Sequence, residues 1–172
     1  ISQKGYLDVI QLVFTQIPKD DREQLTSKYL NSALDNEQES IALLFINLTG
    51  FQYDTMILAA KKGFVSIVKY ILENVKDPNY INHVKPIEGS VLGAAAINGS
   101  IELIDLLLQQ KNLDKNLYNS KHETAIMLAS RYNNFAAMRK IIDSYSEEEI
   151  QQQIWQVNAA FVLFFAIPPS IP

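Results

Sequence analysis

The sequence predicts an all-α solenoid of stacked antiparallel helix pairs, closed by a C-terminal capping helix. Three observations predict it. A breaker residue recurs at Gly5, Asn36, Gly63, Gly99 and Asn133, with successive spacings of 31, 27, 36 and 34 residues. Apolar residues at helical offsets follow each breaker, as in Ile101, Leu103, Ile104, Leu107 and Leu108 after Gly99. Nine residues before each complete breaker stands Ser27, Asp54, Ser90 or Thr124. All four belong to the set whose side-chain oxygen accepts a free backbone N–H at a helix N-terminus.

The elements follow in order. Tyr6 to Phe14 reads as the second helix of a pair whose first helix lies before Ile1, and the start at Ile1 rather than Met reads as a piece of a longer protein. Ser27 to Phe45 is a degenerate pair, and Asp54 to Leu72, Ser90 to Leu108 and Thr124 to Ile142 are complete ones. Five to six residues after each cap lie Ser32-Ala33, Ala59-Ala60, Ala95-Ala96 and Ala129-Ser130, whose small side chains let two helices approach closely. Gly and Asn are the residues that best tolerate the left-handed backbone of a tight turn, so each breaker separates two antiparallel helices. The short connector 46–53 leaves little room for a hairpin, whereas 73–89 and 109–123 have room for one.

Ser146-Glu147-Glu148-Glu149 has capping-box spacing, and Ile150, Ile154, Val157, Phe161 and Phe164 follow at helical intervals until Pro168. The domain reading is a repeat array over 1–145 and a C-terminal helix with tail over 146–172. The terminal unit of a solenoid needs its apolar face covered, which gives this helix a capping role. The alternative role is a second, hydrophobic partner contact around Trp155 and Phe161 to Phe165.

Asp54 to Leu72, Ser90 to Leu108 and Thr124 to Ile142 together resemble the ankyrin repeat, whose unit reads Thr-Pro-Leu-His-Leu-Ala-Ala-x-x-Gly-His-x-Glu-Val-Val-x-Leu-Leu-Leu. The unit length of that family is about 33 residues. The motif Pro is replaced by Lys28, Thr55, Val91 and Ala125, and the motif His by Leu30, Ile57, Gly93 and Met127. The richness in Asn, Lys, Gln and Ile also resembles ankyrin effectors of intracellular bacteria such as Legionella.

Composition limits the function classes. The 172 residues carry 48% hydrophobic and 20% charged residues, enough to build a core. A net charge of −4 argues against nucleic-acid binding. Without cysteine there is no disulfide framework and no thiolate nucleophile. That usage and the lack of a visible signal peptide fit the cytoplasm, or a host cytosol if the chain is a secreted effector. No run reaches the roughly 18 apolar residues of a membrane span. His83 and His122 lie in connectors without converging ligands, and no hydrolase, zinc-protease or phosphate-loop motif occurs. We therefore expect no enzyme activity, no cofactor and no metal.

What the ankyrin resemblance implies is recognition of another protein by a monomer, through a concave face built from connector tips and first helices. Carried over by register, that face holds Phe51, Tyr53, Lys61 and Lys62, then Ile87, Ile97 and Asn98, then Lys121, Glu123, Arg131 and Tyr132. Its aromatics and Arg131 are typical interface anchors. Lys61, Lys62, Lys121 and Arg131 are basic in an acidic chain, so the expected partner segment carries carboxylates. The competing reading is the substrate-recognition part of a larger enzyme whose catalytic domain lies outside these residues.

Overall fold

The computed structural model describes residues 3–18, 28–51, 53–149 and 151. Its order is α1 (Gln3–Gln16), α2 (28–35), α3 (Glu39–Thr49), α4 (Tyr53–Lys62), α5 (Val65–Asn74), a 3-10 turn (Tyr80–Asn82), α6 (Val91–Asn98), α7 (Ile101–Leu108), α8 (Ala125–Arg131) and α9 (Phe135–Ile142). Among the described residues the regular elements are helices, and two isolated bridges close turns in the connectors.

These helices form two layers. In one, α6 packs between α4 and α8; in the other, α1, α3, α5, α7 and α9 follow one another. Each of the pairs α4–α5, α6–α7 and α8–α9 is antiparallel and closed by a tight turn. The turns use left-handed residues at Gly63 (φ 79), Gly99 (φ 83) and Asn133 (φ 58). Between α2 and α3 the left-handed residue is Glu37 (φ 57), one position after the expected Asn36. Asn36, the first residue past α2, instead turns its side-chain amide back to the Ser32 carbonyl at 2.7 Å. At Gly5 there is no turn, because α1 runs through it.

Small residues explain the layer of α4, α6 and α8. Ala94, Ala95 and Ala96 are fully buried, as are Ala59, Ala60 and Ala129 in the neighbouring helices. The second-layer helices supply larger side chains: Ile67, Val68 and Ile71 from α5, Leu103, Ile104 and Leu107 from α7. Burying each such side chain contributes about 1.5–3 kcal/mol. In the register of Ile67 and Ile71, α1 carries Val9 and Val13, both 57% exposed, because no first helix pairs with α1 among the described residues.

The cap expected at Ser90 is present: its Oγ accepts the Gly93 N–H at 3.2 Å. Thr124 also occupies a cap position, but its hydroxyl makes no capping bond. Asp54 lies inside α4, one residue after its start, and Ser27 lies outside the described residues. The capping box at the C-terminal end is formed, with Ser146 N–H donating to Glu149 Oε2 at 2.8 Å and Glu149 N–H donating to Ser146 Oγ at 3.2 Å. Trp155 and Phe161 to Phe165 lie outside the described residues.

Candidate partner-binding surface

Both long connectors end in a hairpin directly before a first helix. Lys85 pairs with Gly89 before α6, and Tyr118 pairs with Thr124 before α8. The polar residues of these connectors have no ladder of their own, so they bond across units instead. The Asn119 amide donates to the Ile87 carbonyl at 2.9 Å, and Ser120 donates to the Pro86 carbonyl from its N–H at 3.0 Å and its hydroxyl at 2.7 Å. Asn119 Oδ1 also accepts from the N–H groups of Lys121 and Glu123, which shapes its own turn. The two tips are therefore held to one another and present their side chains from a braced frame.

The expected site residues fall into four groups. Ile87 (65%) and Tyr132 (49%) are exposed and apolar, and Lys121 is exposed at the second hairpin. Lys61, Glu123, Arg131 and Asn98 make contacts inside the chain. Lys61 Nζ lies 2.8 Å from Glu88 Oε1, Arg131 pairs with Glu123, and the Asn98 amide donates to the Lys61 carbonyl at 3.2 Å. Phe51 is half-buried, with its ring edge-on to Tyr80 at 5.6 Å, and Ile97 is half-buried. Lys62 reaches the Asp35 carbonyl at 3.4 Å, and Tyr53 is the first residue of α4.

The electrostatics change the expected basic face. Glu88 is buried, and burial opposes its ionisation. The Lys61 hydrogen bond, its own backbone amide and the charges of Lys61 and Lys85 outweigh that and hold its carboxyl below the usual value. Lys85 in turn pairs with Asp54 at 3.0 Å. Two of the four expected cations, Lys61 and Arg131, are thus matched by carboxylates of the same chain. Lys62 and Lys121 are in no ion pair among the described residues.

Sequence reasoning passed over one apolar position. Six residues before the caps Ser90 and Thr124 stand Val84 (39% exposed) and Tyr118 (52% exposed). Tyr118 lies against His122, ring centroids 5.0 Å apart, and His122 adopts a left-handed φ of 59. An apolar residue recurring at one offset before two caps was the available signal. Among the described residues no group of three metal-ligating side chains converges, and no helix is long and apolar enough to cross a membrane.

The comparisons agree with this architecture. A chain in the crystal structure of the yeast ribosomal protein Rps3 in complex with its chaperone Yar1 is similar in fold, with a TM-score of 0.54 and 19% identity over 75% of this chain and 95% of that one. No curated protein matches the chain in sequence. The family profile described as ankyrin repeats (3 copies) matches residues 56–153, more than half of the sequence. The matched range takes in most of α4 and all of α5 to α9, and the chain belongs to the ankyrin-repeat family.

Proposed function

We propose that the chain is a non-catalytic recognition module that binds a partner protein as a monomer through the two hairpin tips and the adjoining face of α4, α6 and α8. The observation that carries this reading is the bracing of the tips. Asn119 and Ser120 tie the second hairpin to the first, yet Ile87 and Tyr118 stay exposed on them. Apolar and aromatic side chains held rigidly in solvent lose little entropy on binding. Such a surface is better explained by a partner than by stability, since burying these residues on a partner is where their apolar area would count.

The charge pattern narrows the partner. Lys62 and Lys121 are the candidate cations left without an internal carboxylate, so the bound segment carries acidic residues facing those two positions. Complementary rim charge of this kind acts mainly on encounter rate and register, and it weakens with salt.

The test compares two baits in a cell lysate, followed by direct titration of whatever protein distinguishes them. One bait is the chain itself; the other carries Ile87→Asp, Lys121→Glu and Tyr132→Ala. These three residues are exposed, so circular dichroism of the altered bait should match the original. A protein retained only by the original, with affinity that falls as salt rises, supports the reading. Equal retention of the same proteins by both baits removes it.

A further inference from the structure

Asn98-Gly99 is the single Asn-Gly pair of the sequence, and it falls at the turn between α6 and α7. The turn after α4 has Lys62 before Gly63, and the turn after α8 has Tyr132 before Asn133. Only the α6–α7 turn places a side-chain amide directly before a glycine. That pair has a chemistry of its own. The backbone nitrogen after an asparagine can attack the side-chain carbonyl, and glycine leaves the approach unhindered. A base takes the Gly99 amide proton, and the nitrogen bonds to Asn98 Cγ. The Cγ–Nδ2 bond breaks, ammonia leaves, and a succinimide ring remains. Water then opens the ring at one carbonyl or the other, giving aspartate or isoaspartate. Nothing is oxidised or reduced.

The fold opposes this reaction at each step. Asn98 is exposed, so water and base reach it. It is, however, the last residue of α6, and helical backbone there keeps the Gly99 nitrogen away from the ring geometry. The Gly99 N–H donates to the Ala95 carbonyl at 2.8 Å, which ties up the nucleophile. The Asn98 amide donates to the Lys61 carbonyl of the preceding unit at 3.2 Å, which ties up the electrophile. From the following unit, the Asn134 amide donates to the carbonyls of Ala96 and Ile97 and closes the same end of α6. The reactive pair is thus clasped between two neighbours. Asn119-Ser120 also has a small second residue, but Asn119 is buried and the Ser120 N–H is bonded to Pro86.

The product does not fit the site it came from. A carboxylate has no N–H for the Lys61 carbonyl, which then loses its partner from the next unit. It also adds negative charge at the C-terminal ends of α6 and α4, where the helix dipoles already place partial negative charge. Isoaspartate further inserts a backbone carbon into a tight turn. We propose that Asn98-Gly99 is a one-way modification site: it stays an amide while α4, α6 and α8 are stacked, deamidates when the last turn of α6 opens, and then hinders the units from closing again. Unstacking is thereby recorded in the covalent structure. This inference does not rest on the partner-binding reading, which concerns the hairpin tips.

The test incubates the purified chain in mildly alkaline buffer, with and without concentrated urea. Peptide mass spectrometry, with fragmentation that separates aspartate from isoaspartate, follows each asparagine. Conversion should appear first at Asn98 and be at least about tenfold slower in the folded chain than in urea. Asn134→Ala should speed it several-fold while the far-UV circular dichroism of the array is kept. If Asn134→Ala unfolds the array, urea below the unfolding transition replaces it, and conversion should rise before the global transition begins. Asn98→Asp, which carries the side chain of one product, should lower the urea midpoint below that of the parent. Equal rates in the folded and unfolded chain overturn the inference, as does a lack of conversion in urea. So does a folded-state rate that neither Asn134→Ala nor mild urea changes, or an Asn98→Asp chain as stable as the parent.

Discussion

The side-chain amide of Asn134 lies where a side chain on Gly99 would have to go: a Cβ there would stand 2.8 Å from its Cγ and Oδ1. The same amide donates to the carbonyls of Ala96 at 3.0 Å and Ile97 at 2.8 Å, satisfying the open end of α6 from the next unit. Asn98 stands in the same relation to Gly63 and the Lys61 carbonyl. A glycine at the turn thus serves twice, by adopting positive φ and by leaving room for the neighbour's cap.

Gly99→Ala should therefore cost about 2 kcal/mol, combining left-handed strain with displacement of Asn134. Asn134→Ala should cost about 1–2 kcal/mol through the two lost bonds to carbonyls. The double variant should lose less than the sum, since the second change removes the group that the first one crowds. Urea unfolding of the four proteins measures this directly. Strict additivity would show that Asn134 does not bridge the units.

The two cap positions behave differently and give a second prediction. Ser90 bonds to the Gly93 N–H, so Ser90→Ala should cost about 1 kcal/mol. Thr124 Oγ1 is buried without a hydrogen-bond partner. A buried hydroxyl with no partner is a cost that an isosteric methyl removes, so Thr124→Val should be neutral or stabilising by about 1 kcal/mol. Urea midpoints that fall equally for both variants would contradict the assignment.

Much of this arrangement was legible in the sequence, for physical reasons. Gly63, Gly99 and Asn133 were readable as turns because few residue types accept positive φ. Ala59-Ala60 and Ala95-Ala96 were readable as a close helix contact because only small side chains permit it. Glu37 was not readable, because the left-handed position fell between two adjacent polar residues and the sequence favours Asn36 over Glu37 for it. The hidden part of the candidate surface was its pairing. Lys61 and Arg131 look like free cations in one dimension, and only the fold brings Glu88 and Glu123 against them. Thr124 has the residue type of a cap and lacks the bond, since type fixes the capacity of a hydroxyl and not its rotamer.

Gly93 stands where the family motif has His, and the structure gives the reason. A Cβ on Gly93 would overlap the backbone carbonyl of Glu88 and stand 3.0 Å from Leu128 Cδ1. The Glu88 carbonyl does not yield cheaply because it is backbone, whereas the Leu128 side-chain end need shift only slightly. Gly93→Ala should cost about 2–3 kcal/mol, as overpacking of a full site does. It should also push out the hairpin that carries Ile87. Amide exchange at Lys85 and Gly89, which bond to each other at 2.9 and 3.0 Å, should accelerate more than exchange in α9. Uniform acceleration would mean general loosening rather than a displaced hairpin.

The Lys61–Glu88 pair supplies a pH dependence with a definite sign. Despite burial, Glu88 has its carboxyl held below the usual carboxylate value in the folded chain, by its bond to Lys61 and the nearby charges of Lys61 and Lys85. A depressed carboxyl contributes stability above its unfolded pKa and loses it as pH falls through the lower folded pKa. Stability should therefore drop below about pH 4.5, and Glu88→Gln should flatten that part of the curve while leaving the alkaline limb unchanged. At neutral pH the same substitution should cost only about 1 kcal/mol, because Lys61 is 41% exposed and can regain water once its partner is gone. Urea midpoints from pH 3 to pH 8 test both limbs. If Glu88→Gln shows the full acid loss of the parent, another carboxylate governs the transition. Glu149, kept low by the Ser146 N–H and by Lys115, is then the group to substitute next.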